Sequence, residues 1–155
     1  MDSLYGSSAH SLISQRLLMA VRSGRVLNSY VFEGAAGIGK KTMAELFAAA
    51  LVCEGKAGQL PCGSCPACRK VFTHNHPDVI YLEKTDGKKT IGIDAVRERI
   101  LEQVYIRPLL ADKKIFLITD GGALTEESQN SLLKALEEPP EYAVFIILTE
   151  KAGML

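Results

Sequence analysis

The sequence predicts an α/β domain, a parallel β-sheet with helices on both faces. Apolar segments of strand length alternate along the chain with apolar stripes at helical spacing. The strand-length segments are continuous apolar runs rather than alternating ones, which demands burial on both faces. The chain has 155 residues, enough to bury one such core.

Taken in order, Leu12, Ile13, Leu17, Leu18 and Val21 recur at helical spacing, and Tyr30-Val31-Phe32 is a short β-prone run. Met43, Leu46, Phe47, Ala50 and Leu51 mark a second helix. A stretch rich in Gly, Pro and Cys, Gly55 to Cys68, interrupts the pattern. Val79 to Leu82 is the next strand, and Asp94 is placed to cap a helix with the stripe Val96, Ile100, Leu101 and Val104. Ile115 to Ile118 is the third strand. Thr125 is placed to cap a helix carrying Leu132, Leu133 and Leu136, which Pro139-Pro140 stops. Val144 to Leu148 is the fourth strand.

Composition narrows the function. Apolar residues at 47% and charged residues at 23% exclude wholesale disorder. Eighteen basic residues against eighteen acidic ones exclude a chain that grips nucleic acid over its whole surface, so any DNA contact is local or comes from partner chains. The longest apolar run is strand-sized, so no membrane span is expected. Met1-Asp2-Ser3-Leu4 carries an acid where a signal peptide needs basic residues. A cytoplasmic location follows as an expectation. It disfavours disulfides and turns attention to metal for the four cysteines.

Gly34-Ala35-Ala36-Gly37-Ile38-Gly39-Lys40-Lys41-Thr42 follows the first strand directly and opens the second helix. The spacing G-x-x-x-x-G-K between a strand and a helix is that of a phosphate-binding P-loop rather than a mere glycine-rich turn. Glycines let the backbone aim its N–H groups at an anion, the helix N-terminus adds partial positive charge, and Lys40 can reach terminal phosphates. Gly34, Gly37, Ile38, Gly39, Lys40, Lys41 and Thr42 are therefore the candidate nucleotide-binding residues. Hydrolysis needs Ser or Thr directly after the lysine to ligate Mg²⁺. Here that residue is Lys41, and Thr42 is turned about 100° further round the helix. A second cation is thus expected where the metal would sit.

A hydrolysing P-loop protein also carries acidic groups at the end of an apolar strand. Ile115 to Ile118 runs into Thr119-Asp120-Gly121-Gly122. Either Thr119 takes the metal slot and Asp120 the water-activating slot, or Asp120 takes the first and Gly121 the second. One acid is missing in both alignments. Two defects on one function point to lost hydrolysis, so no catalytic residue is assigned, ATP binding is doubtful and Mg²⁺ is not expected.

Cys53, Cys62, Cys65 and Cys68 are spaced C-x8-C-x2-C-x2-C with none left over. Four thiolates suit a closed, structural Zn²⁺ site in which the two C-x2-C steps turn tightly around the ion. An iron–sulfur cluster uses similar spacing and stays open as an alternative, whereas a redox dithiol leaves two cysteines unexplained. His74 and His76 are read as loop residues with no metal role.

The P-loop, the four cysteines, Asn75-His76-Pro77-Asp78 and above all Ser131-Leu132-Leu133-Lys134-Ala135-Leu136-Glu137-Glu138-Pro139-Pro140 together resemble the AAA+ subunits of the bacterial DNA polymerase III clamp loader. The resemblance covers nearly the whole chain. It implies a P-loop NTPase (AAA+/RecA-like) sheet over residues 1–155, the N-terminal domain of a longer protein, with a zinc module at 53–70 inserted after the P-loop helix. It also implies that Thr149 is a sensor residue facing a nucleotide phosphate. The family holds hydrolysing gamma/tau subunits, with Ser or Thr after the P-loop lysine and an Asp-Glu pair on the later strand, and non-hydrolysing delta-prime subunits. Lys41, Thr119 and Asp120 resemble the second kind; the first remains the alternative, and a zinc-stapled P-loop kinase is a more remote one. The implied partners are gamma/tau and delta subunits in a hetero-pentameric ring, the sliding clamp and primed DNA. A Ser-Arg-Cys motif that reaches a neighbour's ATP site is expected beyond Leu155. From composition alone Lys134, Glu137 and Glu138 read as a solvated helix face.

Overall fold

A computed structural model describes residues 8–55 and 58–151. The expectation placed on Met1 to Leu4 lies outside the described residues. In chain order the elements are α1 (Ser8–Ser23), β1 (Ser29–Glu33), α2 (Lys40–Val52), α3 (Pro66–Phe72), β2 (Val79–Leu82), α4 (Ile93–Val96), β3 (Lys114–Ile118), α5 (Glu126–Glu137) and β4 (Ala143–Thr149). The strands form one sheet in the order β1-β4-β3-β2, with every neighbouring pair parallel. The α/β fold is the one the sequence predicts.

β3 and β4 are buried at every position. Their alternate side chains feed two cores. Ile115, Leu117, Val144, Ile146 and Leu148 meet Leu17, Leu18, Phe47 and Val71 on the face of α1, α2 and α3. Phe116, Ile118, Phe145 and Ile147 meet Val96, Ile100, Leu132 and Ala135 on the face of α4 and α5. Phe116 stacks on Phe145 with ring centroids 5.1 Å apart, and Tyr30 meets Phe47 edge-on at 5.0 Å. Ala44, Ala48 and Ala49 are fully buried, and such short side chains let a helix approach a sheet closely.

Several expectations are corrected. β1 is not buried on both faces: it stands at the edge of the sheet and alternates, with Val31 48% exposed. Leu12, Ile13 and Leu133 are exposed members of stripes whose buried members are Leu17, Leu18, Leu132 and Ala135. Gly92, in extended conformation, occupies the N-cap of α4, so Asp94 falls in the first turn and lies 3.4 Å from Arg97. After Val96 this helix widens into a π-turn over Arg97–Leu101, which keeps Ile100 and Val104 buried. Part of the cysteine stretch is helical rather than all turn, because Cys65 Sγ accepts the Cys68 N–H and Pro66 opens α3. Thr125 caps α5 as expected, its hydroxyl accepting the Ser128 N–H at 3.1 Å. Lys134, Glu137 and Glu138 are exposed.

Buried polar side chains tie down the sheet's opposite edge, where the strands begin. Asp78, 1% exposed, accepts the N–H groups of Leu109, Leu110 and Ala111 at 2.6 to 2.7 Å. Lys114, at the start of β3, donates to the carbonyls of Gln103 and Ile106, and burial pushes its pKa down. His76 Nδ1 accepts the Asp78 N–H at 3.0 Å, and burial lowers its pKa. His74 stacks on Tyr81 at 4.5 Å and approaches Glu45 at 3.5 Å. Within the run Asn75-His76-Pro77-Asp78, Asp78 is thereby the anchor for residues 109–111. Replacing Asp78 by Ala orphans three N–H groups and is expected to cost on the order of 3 kcal/mol. A urea midpoint within experimental error of the parent would contradict that.

Candidate functional site

All four strands point the same way, so their C-terminal ends lie along one edge of the sheet. In parallel α/β sheets ligands bind outside this edge. A cleft of about 870 Å³ opens there. Its walls come from the loop after β1 (Ala36, Gly37, Gly39), the start of α2 (Lys40, Lys41, Thr42), the end of β2 (Glu83, Lys84), the end of β3 (Thr119, Asp120) and the end of β4 (Thr149, Glu150, Lys151).

The loop is built as a cradle. Gly37 at φ 79 and Gly39 at φ 99 hold left-handed backbone, the second as the N-cap of α2. Gly34 donates its N–H to the Thr149 carbonyl at 3.1 Å, which fastens the loop to β4. A Cβ at Gly34 would come within 3.1 Å of the Ile38 side chain. Gly34 and Ile38 thus lie close together beside the cleft residues Gly37 and Gly39. Lys40 Nζ folds back and donates to the Gly34 and Ala35 carbonyls. Thr42 and Thr149 line the cleft, and Thr149 Oγ1 accepts the Lys151 N–H at 3.3 Å.

Lys41 lines the cleft, and its ammonium lies 3.4 Å from Glu83 Oε1. Thr119 donates its hydroxyl to Asp120 Oδ2 at 3.1 Å. Glu83, Lys84, Lys89 and Lys151 are wall residues that the sequence reading missed. Glu83 had a usable signal: it directly follows the apolar run Val79 to Leu82, just as Thr119-Asp120 follows Ile115 to Ile118.

The second site is the cysteine cluster between α2 and α3. Cys53 ends α2, Cys65 caps α3, and the four Sγ atoms lie within 4.8 Å of one another. The Cys62–Cys68 and Cys53–Cys65 sulfur pairs are both 4.0 Å apart. Backbone N–H groups point at the sulfurs: Gly55 and Cys62 at Cys53, Cys65 at Cys62, Cys68 at Cys65. Any Cβ at Gly55 would meet the Cys62 Cβ at 3.2 Å. The N–H groups of Ser64 and Cys65 lower the Cys62 pKa to about 6, while burial pushes Cys68 far up.

With this geometry in hand, comparison with known proteins is decisive at the level of family. A family model described as DNA polymerase III, delta subunit, matches residues 9–155. The chain belongs to that family. Among its relatives, the delta-prime subunit of Escherichia coli is 31% identical over 91% of this chain, and that of Pseudomonas aeruginosa 34% over 91%. The tau/gamma subunit of Haemophilus influenzae is 35% identical over 86% of this chain. The chain spans 42% and 43% of the two delta-prime relatives and 19% of the tau/gamma relative. Identity therefore does not separate the two kinds of subunit. A gamma-subunit-related protein of Thermotoga maritima superposes with a TM-score of 0.59 at 23% identity, covering 91% of this chain and 40% of the other, and shares the fold. Membership agrees with the clamp-loader resemblance. No described helix of this delta-family chain is long and apolar enough to cross a membrane.

The thiol electrostatics lead to an alkylation order. In chelator-treated protein Cys62 is expected to react first with iodoacetamide, its rate rising through pH 6 and then levelling off as its thiolate fraction saturates. Cys68 should be slowest at every pH. Peptide mapping by mass spectrometry that found Cys68 ahead of Cys62 would refute the order.

Proposed function

We propose that this chain is the P-loop domain of a non-hydrolysing clamp-loader subunit of the delta-prime kind. Its role is that of a stator: a rigid member of a hetero-pentameric ring with gamma/tau and delta subunits that loads the sliding clamp onto primed DNA. The observation that carries this reading is the Lys41–Glu83 contact. A hydrolysing P-loop places a hydroxyl after its lysine to hold Mg²⁺. Here an ammonium occupies that position and has drawn a carboxylate to itself, and at the end of β3 Thr119 spends its hydroxyl on Asp120. A divalent ion beside phosphate needs an oxygen ligand at the position after the P-loop lysine, and Lys41 offers none. The P-loop cradle is retained without the metal-holding groups.

The hydrolysing gamma/tau reading is favoured only by the matching relatives of that kind. Turnover separates the two. The full-length protein alone is expected to show no ATP hydrolysis, and Lys40→Ala is expected to leave the turnover of the assembled, DNA-stimulated ring unchanged. A fall of about tenfold or more with Lys40→Ala would assign hydrolysis to this subunit.

The same reading includes a structural zinc ion on Cys53, Cys62, Cys65 and Cys68. Four sulfurs around tetrahedral zinc stand about 3.8 Å apart, from Zn–S distances of about 2.3 Å. The 4.0 Å pairs, the inward N–H groups and the room kept by Gly55 fit that ion. When bound, zinc would staple α2 to α3 and do no chemistry. One zinc per chain is expected by elemental analysis, and Cys68→Ser should lower both the zinc content and the melting temperature by several degrees. Iron with visible absorbance in its place would assign a cluster instead.

A further inference from the structure

Helix α3 ends on a residue type that its turn disfavours. The His74 N–H donates to the Val71 carbonyl at 3.0 Å and the Asn75 N–H to the Lys70 carbonyl at 2.7 Å, the paired closing bonds of a Schellman turn. The residue at such a turn takes left-handed backbone, and glycine is its usual occupant. Here it is His74, at φ 58, the one non-glycine residue with positive φ among the described residues. What the turn loses in backbone freedom, the ring returns in contacts. It stacks on Tyr81 of β2 with centroids 4.5 Å apart and planes 20° apart, and its Nε2 lies 3.5 Å from Glu45 Oε1 on α2. The Glu45 side chain is only 19% exposed, so solvent screens its charge little. Burial, and after it the Glu45 carboxylate, pushes the Tyr81 pKa up, so the phenol stays protonated beside that carboxylate.

We propose that His74 is a pH-sensitive latch that holds helix α3 against the P-loop helix α2. A histidine changes charge between about pH 5 and pH 8, and a carboxylate does not. A neutral ring 3.5 Å from Glu45 makes at most a weak hydrogen bond. The imidazolium gains an ion pair with Glu45 and a cation over the Tyr81 face. Both gains belong to the protonated form, so the hold tightens as pH falls and slackens as pH rises. Other charged groups stand on the elements packed here. Lys41 on α2 and Glu83 after β2 answer each other, and Arg99 Nε donates to the Tyr81 carbonyl. Arg69 and Lys70 on α3 itself are exposed, so solvent blunts their repulsion of the imidazolium. Glu45 is the charge that sets the sign. Because Cys65 caps α3 and Cys68 lies within it, the latch governs how firmly two of the four cysteines are seated. His74 is thus a positioning residue, and its action involves neither nucleotide nor metal.

The test is amide hydrogen exchange of the full-length protein, read by mass spectrometry on the peptide 66–75 that carries α3. Parent and variant are compared at about pH 6 and again at about pH 8.5, always at the same pH, so intrinsic exchange and thiol ionisation cancel in the ratio. His74→Asn keeps a residue that tolerates left-handed backbone but removes the ring. Glu45→Gln keeps the ring and removes the charge. Each is expected to lower the protection of α3 about fivefold at the lower pH and to leave it nearly unchanged at the higher. The peptide carrying β4, buried at every position, reports whether each variant is folded and should not change. His74→Gly relaxes the backbone and should still lose protection at the lower pH, as His74→Asn does. A parent-to-variant ratio equal at the two pH values, or larger at the higher one, would overturn the latch. So would a His74→Gly protein whose α3 is as well protected as the parent's at the lower pH, because the backbone rather than the ring would then set the seat.

Discussion

β4 lies between β1 and β3 and is paired to both along its length. A strand buried on both faces has no water to satisfy its backbone, so each N–H and C=O must find a partner in a neighbouring strand. Parallel neighbours meet it on both sides: Tyr30 stands opposite Ile146, and Phe116 opposite Phe145. It also decides where chemistry can occur. The four strands end together, so the phosphate loop, Glu83, Thr119-Asp120 and Thr149 all arrive at one edge.

At that edge single side chains separate one class of P-loop protein from another. The cradle's backbone is intact: left-handed glycines, a helix start behind them, and a hydrogen bond from Gly34 to Thr149. Beside it the ammonium of Lys41 lies 3.4 Å from the carboxylate of Glu83, which directly follows β2. Fold and loop geometry depend on glycine conformation and on pairing, which are indifferent to the residue at position 41. Metal chemistry would depend on that residue directly, which is why the proposed loss of hydrolysis needs no change of architecture.

Away from the cleft, polar groups fasten what the apolar sheet does not reach. Asp78 and Lys114 hold the 103–111 segment where the strands begin, and His76 accepts the Asp78 N–H. The four cysteines gather between α2 and α3, and the buried residues of α3 are small: Ala67, Cys68 and Val71.

The four strands, the P-loop helix and the Thr125 cap were legible in the chain, because each depends on contacts a few residues apart and on side-chain period. The cysteine spacing was legible for the same reason. The edge position of β1, the exposure of Leu12, Ile13 and Leu133, and the cap at Gly92 were not, because which side of an element faces solvent depends on what packs against it. Nor could local spacing pair Lys41 with Glu83 or Asp78 with Leu109 to Ala111. The identities of these groups are written in the sequence, but their meeting is set by the strand order β1-β4-β3-β2, which brings distant segments within hydrogen-bond reach.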